Sequence, residues 1–168
     1  VPMLDAKNMS PAELTTYSDD HLHYELWMLY ETADEILDNP DFDRKPVHLN
    51  MAVESFLVHA RVLAPFFYPE ANWKTDVGAD HFVRNVGAWE AARGIASAEL
   101  IDVKKRSAKE IAHLTTGRQP DGPDKRWKPG SVLRAMEKPL AVFLAEADST
   151  RLGPKFRTFA NGKLAQRG

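Results

Sequence analysis

The chain contains no cysteine. That removes disulfides, thiolate metal sites and cysteine nucleophiles, and it fits a reducing compartment, so a cytoplasmic location is expected. No apolar run approaches the ~20 residues of a membrane span, so no membrane partner is expected. The opening residues, VPMLDAKNMS, lack the basic-then-apolar pattern of a secretory leader. Glycine is sparse, nine in 168 residues, and none forms a phosphate-cradling loop. His-Glu-x-x-His and Gly-x-Ser-x-Gly are also missing. There is no internal repeat, no low-complexity run and no strand-like alternation worth naming. Zinc-protease, serine-hydrolase and P-loop chemistries are therefore set aside.

What remains is an ordinary globular composition, 43% hydrophobic and 27% charged. The length suits one helical bundle domain over residues 1–150. A basic, partly disordered tail is expected over 151–168, because periodicity fades after Asp148. Net charge is −2, unevenly spread. Residues 1–117 hold 11 Lys/Arg and 19 Asp/Glu, and residues 118–168 hold 11 and 5. A basic final third suits a polyanion such as RNA, or it pairs with the acidic first part, within the chain or across a dimer.

Apolar residues recur at the three-to-four spacing of amphipathic helices. Ser10-Pro11 reads as an N-cap and first helical position for a short helix to about Thr16. Asp19 or Asp20 reads as the cap of a helix over 20–38, with Leu22, Leu26, Leu29, Tyr30, Ala33, Ile36 and Leu37 on its buried side. A second long helix spans 47–67, a third 97–116, and a fourth 131–147 starting at Ser131 and kinked or restarted at Pro139. Trp73, Phe82 and Trp89 are expected to plug one end of the core. The fold class is all-α, a four- to five-helix bundle.

Arg106 and His113 stand seven residues apart on the third helix, so at about 100° per residue they return to one face. Beside them Leu100, Val103, Ile111 and Leu114 form the buried stripe. A histidine acts as acid or base near neutral pH, and an arginine holds phosphate oxygens, so the pair suits phosphoryl chemistry without a metal or other cofactor. Asn50, Glu54 and Arg61 fall within about 40° of one another at the edge of the second long helix's apolar stripe. They serve either as a polar margin or as supporting groups for the pair. Asp76, Asp80, His81, His21, His23 and His59 are the metal-ligand candidates, but none shows paired spacing on one helix face. No metal is assigned.

With six residues between Arg106 and His113, the segment R-SAKEIA-H resembles the Arg-x(4–6)-His motif of the HEPN superfamily. The resemblance implies a small HEPN-like all-α bundle and a homodimer in which the motif residues of two protomers meet. It further implies a metal-independent endoribonuclease or defence effector, with RNA or a nucleotide as partner. His113 would then activate the 2′-hydroxyl or protonate the leaving oxygen, Arg106 would stabilise the phosphate, and Asn50 or Glu54 would orient them. A second resemblance, N-MAV-ES-FLV-H-A-R over Asn50–Arg61 and AHLT over Ala112–Thr115, is to a group of uncharacterised bacterial proteins. It covers about two thirds of the chain and places Asn50, Glu54, His59, Arg61 and His113 in one pattern. The alternative is a noncatalytic HEPN-like helical protein that binds a partner or nucleotide, with His113 a partly buried structural residue and Arg106 solvated or salt-bridged; a metal-dependent helical-bundle enzyme is the lesser alternative. Trp27 and Phe66, off the buried stripes, are the apolar residues expected at a dimer surface.

Overall fold

The computed structural model describes residues 5–39, 46–69, 74–110 and 127–167. Ser10 starts its first helix. The Ser10 hydroxyl accepts from the Glu13 N–H at 3.3 Å, and the Glu13 carboxylate accepts from the Ser10 N–H at 2.7 Å. This reciprocal cap, with Pro11 in the first turn, opens α1 (Pro11–Tyr17). The chain then stays helical. Ser18–Leu22 wind as one π-turn, and α2 (His23–Asp38) follows without the backbone leaving the helical region. The expected cap at Asp19 or Asp20 is therefore absent, because the residues before α2 are themselves helical.

The remaining elements are α3 (Pro46–Phe67), α4 (Val86–Arg93), α5 (Ala98–Glu110), α6 (Pro129–Glu146) and α7 (Pro154–Arg167). The all-α class holds, and no strand occurs among the described residues beyond one isolated bridge, Val83 to Ala147. The helices α1, α4 and α7 join the four long ones. The α6 helix begins at Pro129 with Lys128 before it, so Ser131 is not its cap, and it continues through Pro139. Residues 111–126 lie outside the described residues, and with them Ile111, His113 and Leu114 from the expected third helix. Trp73 lies outside them too.

The partly disordered tail expected from residue 151 is instead α7. Phe156 and Ala160, one turn apart, are fully buried. Its cap comes from far away in sequence: Asp19 accepts from the Phe156 N–H at 2.9 Å and Ser18 Oγ from the Gly153 N–H at 2.7 Å. A Cβ at Gly153 would overlap the Asp19 carboxylate, so glycine is what lets the two segments close.

The core gathers round α6, which touches α2, α3, α4, α5 and α7. Phe66, Phe67, Phe82, Phe143 and Phe156 form one cluster, with ring centroids 5.1–6.1 Å apart and mostly edge-to-face. Phe66 thus belongs to the core and not to a dimer surface. Phe82 and Trp89 are fully buried, as expected of the plug. Against this core α3 packs between α2 and α5. Its far side is left to solvent.

Candidate functional site

Arg106 is held in place. Its Nη1 lies 3.1 Å from Asp102 Oδ2, one turn earlier on α5, and its guanidinium carbon sits 4.1 Å from the Trp127 ring centroid. Stacking on an indole and pairing with a carboxylate are what orient a structural arginine. Ser107 beside it is buried at 1% exposure. His113 lies outside the described residues, so only one member of the expected catalytic pair can be placed.

Asn50, Glu54 and Arg61 do share a face, and it is solvent-facing: all three are exposed. Among the described residues Glu54 and Arg61 form no ion pair with each other or with another group. They share that face with Val47, Met51, Val58 and Val62, exposed at 66%, 63%, 47% and 46%. At about 100° per residue these four apolar positions fall within an arc of about 60°, opposite Phe56, Ala60 and Phe67. Exposed apolar residues also occur on the two helices beside α3, Tyr24 and Trp27 on α2 and Ile101 on α5.

Toward the C-terminal end of α3 the face runs into a cleft of about 930 Å³. Val58, Arg61 and Val62 form one wall, Lys104 of α5 joins them, and Lys7, Lys74, Asp76 and His81 line the other side. His81 is set by its neighbours. Its Nδ1 lies 3.2 Å from Asp80 Oδ1 and 3.2 Å from the Gly78 carbonyl, which accept from it when protonated. The Gly78 N–H, 3.1 Å away, donates to the same nitrogen when it is bare. The hydrogen bond to Asp80 raises the His81 pKa above its usual value, against the opposing effect of burial. The same bond lowers the pKa of Asp80. The Tyr17 hydroxyl, at the cleft's edge, is pushed up by burial and then by Glu25 and Asp76.

His59 is buried and does not face the cleft. Its Nδ1 lies 2.7 Å from Glu25 Oε2, and Tyr24 stands edge-on to its ring. This pair locks α2 to α3. Spacing did not reveal the pairing, because a separation of 34 positions hides a contact made only by helix packing. Of the other metal candidates, His21 rests against Tyr17 and His23 against Phe159. Burial, and then Lys155, lower the His23 pKa. Among the described residues no three His, Asp or Glu side chains come close enough to hold an ion. No described helix is long and apolar enough to cross a membrane.

No family model, curated protein or solved structure matches this chain.

Proposed function

We propose that this chain is a noncatalytic helical binding protein whose contact surface is the outer face of α3. One observation carries the reading: a run of large apolar side chains on α3 lies in solvent, with Glu54 and Arg61 among them, although α3's opposite side is fully packed. Exposed apolar surface of this extent is costly to keep in water and is characteristic of contact sites. The setting of Arg106 supports the same reading. Its guanidinium already has structural partners, stacked on Trp127 and paired through Nη1 with Asp102.

The endoribonuclease reading has one observation in its favour, the cations Lys7, Arg61, Lys74 and Lys104 around the cleft. Asp5, Asp76 and Asp80 line the same cleft and offset most of that charge, so the cleft is a poor phosphate trap. Labelled tRNA and mRNA incubated with the purified chain, with and without EDTA, separate the two readings. The binding reading expects intact RNA in both. Metal-independent cleavage that leaves 2′,3′-cyclic phosphate ends and disappears in His113→Ala would sink it in favour of an HEPN-like ribonuclease.

A further inference from the structure

The four exposed apolar residues of α3 have a property beyond their shared arc. Val47 and Val62 lie equally far from the midpoint between Glu54 and Ser55, and so do Met51 and Val58. A twofold contact requires a surface that is its own complement, with residue i on residue j and j on i. An antiparallel α3 pair centred on that midpoint meets the requirement. We infer that the occupant of this face is a second copy of the chain, packed α3 to α3 in antiparallel register. This rests on the reading of the α3 face as a contact surface and names its partner.

In that register Val47 meets Val62 of the second copy, and Met51 meets Val58. Glu54 and Ser55 lie nearest the axis, on opposite flanks of the stripe. A twofold axis lying in the contact plane, across α3, also brings α2 to α2 and α5 to α5, so the exposed Trp27 and Ile101 join the buried patch. Val47 to Val62 spans about 22 Å at the helical rise. With three helices side by side at roughly 8–10 Å between axes, the footprint is roughly 600 Å² per copy. That is somewhat below the roughly 800 Å² of a standard interface, so the pair is expected to associate in the micromolar range. One element opposes it: the two Glu54 carboxylates flank the axis as like charges.

Because the chain has no cysteine, single-cysteine probes report the register without background. Met51→Cys and Val58→Cys are made separately, both at exposed sites, with melting curves to confirm the fold. Under mild oxidation a mixture of the two should cross-link. Met51→Cys alone should not, since the two copies of residue 51 would stand about 10 Å apart along the helix, beyond the roughly 7 Å a disulfide tolerates. Light scattering of the native chain should give twice 18.9 kDa at high micromolar concentration. Val62→Asp should weaken the pair at least tenfold, Glu54→Gln should tighten it severalfold, and Ile95→Asp, at an exposed apolar site outside α2, α3 and α5, should leave it unchanged. A native chain that stays monomeric overturns the inference, and so does self-linking of Met51→Cys as strong as in the mixture. Neither result would overturn the binding reading, which fails only if the chain cleaves RNA as described above.

Discussion

At the scale of single residues, Arg106 separates a catalytic from a structural account most directly. Its side chain is 21% exposed and its partner Asp102 is 51% exposed, so the ion pair is partly screened and most of the stabilisation comes from stacking on Trp127. Arg106→Ala is expected to cost about 1 kcal/mol of stability, from the lost cation–π contact and a weak pair. Arg106→Lys should recover only part of it, because an ammonium cannot stack as a planar guanidinium does. Urea melts of the three proteins measure this, and equal stability of all three would show that the stack does nothing. Asn50, Glu54 and Arg61 could be placed together from spacing alone, since one helix fixes their angles. Spacing could not show that their face is open, because that depends on which elements cover α3. Nor could spacing reveal Trp127 under Arg106, since they lie 21 positions apart in the chain.

At the scale of elements, α7 shows what periodicity misses. Phe156, Phe159, Ala160 and Leu164 have helical spacing, but Gly153-Pro154 precedes them and Lys155, Arg157, Lys163 and Arg167 interleave. Its cap is no local Ser or Asp but Ser18 and Asp19, held out by the π-turn. Local rules therefore see a proline at a first helical position with no Ser, Thr, Asp or Asn cap before it. The long helices were legible because their stripes and their own breakers lie in the same stretch. Asp19→Ala should cost about 1 kcal/mol, in line with the loss of a helix cap. Phe156→Ala, which empties a site beside Phe143, should cost about 3–5 kcal/mol, a large share of the roughly 5–15 kcal/mol that keeps a domain folded. Thermal melts rank the two. If Phe156→Ala were no worse than Asp19→Ala, α7 would not be part of the core.

At the scale of the whole molecule, the uneven charge is resolved in part within the chain. Lys163 of α7 reaches Glu31 at 3.2 Å and Asp34 at 3.3 Å on α2, so the basic final third meets the acidic first half across a helix contact. The response of stability to pH should have a local origin in the Asp80–His81 pair. The raised pKa of His81 contributes stability that is complete below about pH 6.5 and is lost as pH rises through the raised value. The lowered pKa of Asp80 contributes above about pH 4 and is lost as pH falls. The pair therefore stabilises most between about pH 4 and pH 6.5. His81→Gln should destabilise the chain more at about pH 5.5 than at about pH 8.5. Denaturant melts at both values test the sign, and a larger loss at the higher pH would contradict it.

The reach from Ser18 and Asp19 to Gly153 and Phe156 also sets an order of events during synthesis. The two acceptors emerge 135 and 137 residues ahead of their donors. At about 5–20 residues per second that is a wait on the order of ten seconds. From its own synthesis onward Tyr30 lacks Phe159, and over the last 13 residues Phe143 lacks Phe156, so aromatic surface on the nascent chain stays open to water and to chaperones. A ribosome that stalls at the end of this interval, after α6 and before α7, leaves a product with all its other helices and an unclosed core.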